Sequence, residues 1–321
     1  MTPCPDSLHF GPRFDVAAHS AAGAGPNARP ENQDNFLLID AHGLAHFMQH
    51  EQRCERRIAH WPPGHVRLAV LDGMGGHGQG REAAEAVVTG LLDLPACTSQ
   101  GELVRQLDDL HHRLQAQFAG DYEDERRPGT TLTLLEMRPG KPALLYHVGD
   151  SRLYEVKSDR VLPLTVDHVP ATAYAMEDVI DADEWWTQVH GEHRSQISQA
   201  FILGNAFVNP ARLSDPLYPL SAVNLPRFLQ HLSDRRAIEL DPNAVYVLAT
   251  DGFWSCEAPG DWMARWPELL WRHHSAQAMC DALFAEMGER PPPGVHPDNL
   301  SVIILRSRTH DETALPDPEQ R

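Results

Sequence analysis

Three apolar runs in this chain stop at an aspartate that a small residue follows at once. Leu68-Ala69-Val70-Leu71 runs into Asp72-Gly73, Leu145-Tyr146-His147-Val148-Gly149 into Asp150-Ser151, and Val245-Tyr246-Val247-Leu248-Ala249-Thr250 into Asp251-Gly252. Asp298-Asn299 stands directly before the run Leu300–Leu305, and Asp34-Asn35 before Phe36–Ile39. Short runs rich in branched residues read as buried strands. A carboxylate at the end of a buried strand lies beside low-dielectric protein, where an unpaired charge is costly. Any one of these aspartates is explained by a turn in which its side chain bonds nearby backbone. If the five strand ends converge, however, they form a like-charge cluster with no matching supply of Lys or Arg in the same motifs. Divalent cations are the physical solution to such a cluster.

The remaining pattern narrows the fold class. Leu132–Leu135 and Leu144–Val148 also read as strands, paired through the turn at Pro139-Gly140. Leu103, Leu107, Leu110, Leu114 and Phe118 recur at helical spacing, as do Ala83, Ala84, Val87, Val88, Leu91 and Leu92 until Pro95 stops the helix. A third helical stretch covers much of Trp262–Met287, with a break at Pro267. Strictly alternating β-α-β units are absent, which disfavours a parallel sheet. The expectation is an α+β fold with antiparallel sheets and helices packed outside them.

Composition excludes several function classes. The net charge of −18 argues against nucleic acid or an anionic membrane as the main partner. No window approaches the roughly 18 consecutive apolar residues of a membrane span, and Met1–Pro12 has no signal-peptide pattern. The five cysteines (Cys4, Cys54, Cys97, Cys256 and Cys280) are odd in number and dispersed, which suits free thiols in a cytoplasmic, reducing setting. His111-His112 and His273-His274 are expected in helices, and neither pair has the spacing of a metal motif. Gly73, Gly75, Gly76, Gly78 and Gly80 form a Gly-rich loop, but no Lys-Ser or Lys-Thr follows to make it a nucleotide cradle.

An all-oxygen ligand set selects hard ions, so Mg²⁺ or Mn²⁺ is expected over zinc. Two such ions roughly 3.5–4 Å apart can share a carboxylate, activate a water and stabilise an in-line displacement at phosphorus. The motifs Arg29-Pro-Glu-Asn-Gln-Asp34, Asp72-Gly-Met-Gly-Gly-His77, Gly129-Thr-Thr131, Gly149-Asp-Ser-Arg152, Leu164-Thr-Val-Asp-His168, Thr250-Asp-Gly-Phe-Trp254 and Asp298-Asn299 occur in that order. Together they resemble the metal-dependent protein phosphatases of type 2C, especially the bacterial members, over roughly Phe14–Leu305.

The resemblance implies a four-layer α-β-β-α sandwich of two antiparallel sheets flanked by helices. It implies hydrolysis of phosphoserine or phosphothreonine by direct attack of a metal-bridging water. Asp72 would bridge the two ions and the Gly73 carbonyl would complete one site. Asp251 and Asp298 would bind the other ion, and Asp34 would serve the first, directly or through water. Asp150 resembles the residue that, with Asp251, holds a third, weakly bound ion. Arg29 resembles the arginine that grips the substrate phosphate, in keeping with the planar fork of a guanidinium. His77 is a candidate general acid for the leaving alkoxide. Gly129-Thr130-Thr131 reads as packing at a strand start.

The implied domain covers residues 10–308, with insertions at about 41–65, 169–195 and 205–236, and a disordered tail at 309–321. The implied partner is a phosphorylated protein, with the enzyme opposing a Ser/Thr kinase and working as a monomer. The chain departs from the family in Gln33, where many relatives carry glutamate, in Gln199, where an arginine is usual, and in the region after His168. These departures motivate an alternative, a catalytically weak module that binds a phosphoprotein or scaffolds a complex. The Trp185-Trp186 pair is its candidate contact site, although local packing explains the pair more simply.

Overall fold

The structure is a computed structural model that describes residues 7–23, 28–75, 79–121, 127–192, 196–210, 213 and 216–308. Its larger sheet, with strands numbered in chain order, runs spatially β14 (Arg235–Ile238), β9 (Ala143–Val148), β8 (Leu132–Met137), β5 (Val66–Leu71), β2 (Asn35–Ile39), β3 (Leu44–Gln49) and β4 (Gln52–Arg57). The smaller sheet runs β1 (Phe14–Ala21), β16 (Leu300–Ser307), β15 (Val245–Ala249), β10 (Arg152–Val156) and β11 (Val161–Pro163). Two short ladders join β6 (Gly73–Met74) to β7 (Gly129–Thr130) and β12 (Gln199–Ala200) to β13 (Gly204–Asn205). Every pairing among these strands is antiparallel.

The two-residue period of a strand explains why both faces of the central strands are apolar. Phe36, Leu38, Leu68, Val70, Leu135 and Leu145 point inward and meet Leu153, Tyr246, Leu248, Ile303 and Leu305 of the other sheet. Their neighbours Leu37, Ile39, Ala69, Leu71 and Leu134 point outward, against helices α1 (Gln79–Asp93) and α2 (Gln100–Asp121). On the opposite outer face Val247, Ala249, Val302 and Ile304 pack on α5 (Pro259–Met263), α6 (Trp266–Trp271) and α7 (Ala276–Glu289). The result is the expected four-layer α-β-β-α sandwich.

A fourth apolar cluster lies apart from these three. It joins α3 (Pro170–Met176) and α4 (Ala182–His190) to Leu220, Leu225, Leu229 and Leu232 around Trp185, which is buried. Asp181 starts α4 with a capping box: its carboxylate accepts the Asp183 and Glu184 amides, and Glu184 reaches back to its own amide. Parts of the segments expected as insertions at 169–195 and 205–236 therefore meet in one lobe, while Arg235 and Arg236 already belong to β14 of the larger sheet. Trp185 supports the packing reading of the Trp pair, while Trp186 is half exposed and tilts over His190.

Several expectations are revised. The segment 41–65 is no loose insertion, because β3 and β4 form a hairpin that completes one edge of the larger sheet. Its Arg-rich outer strand, burial pattern eeieee, shows little hydrophobic alternation for a sequence reader to detect. β1 is likewise polar enough to escape notice, yet it pairs with β16 along its whole length. The stretch Trp262–Met287 is three helices, with Pro267 in the first turn of α6. His273-His274 consequently falls in the connection after α6, whereas His111-His112 lies in α2. Cys54, Cys97, Cys256 and Cys280 are free thiols, and Cys4 lies outside the described residues. So does the tail at 309–321. No helix among the described residues is long and apolar enough to cross a membrane.

Candidate metal centre

The strand ends singled out in the sequence meet at one end of the sandwich. A cleft of about 620 Å³ is lined by Arg29, Glu31, Gln33, Asp72, Gly73, Asp150, Asp251, Asp298 and Asn299 among others. Asp34 is buried beneath it and feels the charges of Asp251 and Asp298. Arg29 is the single Lys or Arg among the described residues of this lining.

Each aspartate is set by a different element. Asp72 leaves β5 and is fixed by its main chain: its amide donates to Thr131 Oγ1 at 2.8 Å, and its carbonyl accepts the Thr131 amide and the Thr130 hydroxyl, each at 2.9 Å. Gly73 follows because nothing larger fits. A Cβ there would lie 2.3 Å from the Gly80 carbonyl and 2.4 Å from that of Gln33. Asp251 opens a single 3-10 turn after β15, its carbonyl capped by the Trp254 and Ser255 amides. Thr250, one residue earlier, donates its hydroxyl to Asp34 Oδ2 at 2.7 Å. Asn299 braces the loop before β2, accepting the Gln33 amide at 2.8 Å and donating to the Glu31 carbonyl at 2.8 Å. Asp298 Oδ1 accepts Arg29 Nη2 at 3.0 Å.

The electrostatics match a carboxylate cluster. Burial, with Asp251 and Asp298 adding repulsion against the Thr250 hydrogen bond, pushes Asp34 up to about 8. Burial first, then the charges of Asp251, Asp34 and Asp150, hold the Asp72 carboxyl well above the usual range. Asp298 is raised by burial and by Asp251, with Arg29 opposing. Asp72 and Asp251 lie within hydrogen-bonding reach of each other. Two carboxyl groups that close share either a proton or a cation. Arg81 of α1 does not relieve the shortage of positive charge, because its guanidinium is engaged by Glu31 at 2.6 Å.

The donor set is entirely oxygen, which fits a hard divalent cation. Among the described residues no three His, Cys, Asp or Glu side chains are gathered tightly enough to make a finished ion cage. His77 lies outside the described residues, so its expected role is not addressed by the geometry. Sequence reading assigned no role to Thr130, Thr131, Thr250 or Asn299, although each orients a candidate ligand or its loop. The only signal the sequence offers is their adjacency to the Asp motifs or their presence in Gly129-Thr130-Thr131, which reads as packing.

No family model matches the chain. Its sequence is 34% identical over 103 residues to the serine/threonine protein phosphatase PstP of Mycobacterium tuberculosis and 32% identical over 111 residues to the protein phosphatase PhpP of Streptococcus pneumoniae. These matches take in 31% and 33% of this chain and only 20% and 44% of the relatives. The fold likeness is far more extensive. A serine/threonine phosphatase of S. agalactiae superposes with a TM-score of 0.63 at 18% identity, over 91% of this chain and 99% of that one. The catalytic domain of PstP in complex with two manganese ions superposes with a TM-score of 0.57 at 20% identity, over 92% and 99%.

Proposed function

We propose that this chain, a relative in fold and sequence of the bacterial metal-dependent protein phosphatases of type 2C, is itself a phosphoprotein phosphatase acting on phosphoserine and phosphothreonine. The observation that carries the reading is the convergence of Asp72, Asp150, Asp251 and Asp298, from four distant segments, on one cleft above buried Asp34. The printed activities of PstP and PhpP favour it, as does the manganese pair in the PstP structure.

In this reading two divalent cations, Mn²⁺ or Mg²⁺, would be held by Asp72 as the shared ligand, with Asp34 and the Gly73 carbonyl serving the first and Asp251 and Asp298 the second. Asp150 and Asp251 would hold a third ion weakly. When bound, the ions supply an acidified water for attack on phosphorus and neutralise charge on the transferred group. The protein does the rest. Thr130 and Thr131 keep Asp72 from drifting when a substrate enters. Arg29, about half exposed, commits one of its five donors to Asp298 and turns the others to the phosphate oxygens. Asp298 thereby aims the guanidinium as well as serving an ion. His77 protonates the departing serine or threonine oxygen.

The working domain is 10–308, and the partner is a phosphorylated protein whose serine/threonine kinase this enzyme opposes. The free thiols suit a cytoplasmic enzyme, and the protein acts as a monomer without nucleic acid or membrane. The deciding experiment is hydrolysis of a phosphothreonine peptide with Mn²⁺, with and without chelator. Release of phosphate that stops on chelation is expected. Turnover indifferent to chelator removes the two-ion mechanism, and no turnover with any divalent ion leaves a phosphoprotein-binding module in its place.

A further inference from the structure

The Asp150 loop is held by a residue that neither the cleft nor the ligand set contains. His168 is completely buried, and its Nδ1 lies 3.2 Å from the Gly149 amide and 2.9 Å from Gln199 Nε2. Both neighbours donate, so Nδ1 is the accepting nitrogen and Nε2 carries the proton. That Nε2–H faces Asp234 Oδ2 at 3.4 Å. The backbone repeats the tie, because the His168 amide donates to the Gly149 carbonyl at 2.9 Å and the Ser198 amide to the His168 carbonyl at 2.7 Å. Gly149 has no room to yield on its other side. It sits at φ +109°, and a Cβ there would meet Thr131 Cγ2 at 2.5 Å. Its peptide is therefore clamped between Thr131, which also holds Asp72, and the imidazole of His168.

The clamp continues into the lobe beside the cleft. Gln199 is buried and bonds reciprocally with one residue, donating to the Tyr218 carbonyl at 3.1 Å and accepting the Tyr218 amide. Asp234 Oδ2 accepts the Leu220 amide at 2.9 Å. Only a side chain with both a donor and an acceptor can answer a peptide group and His168 together, which an arginine at 199 could not do. The departure from the family at Gln199 is thus the joint of a relay: Tyr218, Gln199, His168, Gly149, Asp150.

We propose that His168 is a positioning residue for Asp150, setting the ion site of that carboxylate according to how the Leu217–Leu232 segment is packed. The proposal rests on the reading of Asp150 as an ion ligand given above. It is tested by titrating Mn²⁺ into the full chain by calorimetry and electron paramagnetic resonance, with p-nitrophenyl phosphate hydrolysis measured in parallel. His168→Ala is expected to weaken the Mn²⁺ site that Asp150→Asn also weakens, by about tenfold or more, while the tighter sites hold. His168→Asn, whose amide oxygen offers an acceptor near the place of Nδ1, is expected to recover most of that loss. If His168→Ala does not fold, Gln199→Leu carries the test, since it cuts the tie to Tyr218 and keeps the ring; a weakening of the same site is expected. Mn²⁺ binding unchanged in the folded variant overturns the proposal, as does failure of His168→Asn to restore it or the lack of any Mn²⁺ site sensitive to Asp150→Asn. A wild-type chain that binds Mn²⁺ but hydrolyses nothing ends the phosphatase reading and leaves the ion titrations to judge His168.

Discussion

At the scale of single residues, the cleft depends on carboxylates whose chemistry is opposed by their surroundings. Asp72 is the extreme case, partly buried in the cleft wall and flanked by Asp251, Asp34 and Asp150. Replacing it by asparagine removes the bridging charge and keeps the shape. Asp72→Asn is expected to lose bound Mn²⁺ in calorimetry and to lower kcat on the order of a thousandfold or more, the scale of removing a central electrostatic element from an active site. Arg29→Ala should behave differently. A charge-assisted hydrogen bond contributes about 1.5–3 kcal/mol, so KM for a phosphopeptide should rise by roughly ten- to a hundredfold. Mn²⁺ affinity should persist, because Arg29 supplies no ligand. Legibility at this scale was uneven. The aspartates could be read from the sequence because each borders an apolar run. Their supports could not, because Thr131 lies 59 residues from Asp72, and Thr250 lies 216 residues from Asp34.

At the scale of elements, the lobe is the part that stands most by itself. Its cluster is centred on Trp185, which also donates its indole N–H to Thr172 Oγ1 at 3.1 Å. Trp185→Ala deletes that anchor at a cost of about 3–5 kcal/mol, the usual range for a buried aromatic. Hydrogen exchange should quicken in 169–190 and 217–232 while β5, β8 and β15 keep their protection, since the sheets share no residue with this cluster. Equal loss of protection in the sheets would mean that the lobe is no separate unit. The central strands and the first two helices follow from periodicity alone. The β3–β4 hairpin does not, because an edge strand facing solvent on both sides has no burial pattern to leave in the sequence.

At the scale of the whole molecule, pH separates two opposing groups of buried residues. Asp34 and Asp72 have folded-state values raised above the unfolded ones, so their contribution favours folding in acid and turns against it as pH rises past the ordinary carboxylate range towards about 8. Cations that bind the ionised carboxylates reverse this. The gain in Tm on adding Mn²⁺ to chelator-treated protein should therefore grow between pH 5 and pH 8; a gain independent of pH would contradict the buried cluster. His147, His168 and His190 act in the opposite sense. Burial lowers all three, His168 to about 3, so the neutral rings favour folding above pH 6.5 and that contribution is lost as pH falls below it.

The sequence by itself determined the layers and the chemistry on offer. Strands apolar on both faces must be covered on both sides, and aspartates at their ends must be answered by positive charge. Only the tertiary structure decided that four such ends meet in one cleft above the fifth, with a single arginine among the described residues of its wall, and that Gln199, His168 and Thr131 hold the loops bearing them. The reason is physical. Periodicity and turn chemistry act over a few residues and leave their mark locally, whereas a hydrogen bond between groups 19, 31 or 59 positions apart exists only once the chain has folded back on itself.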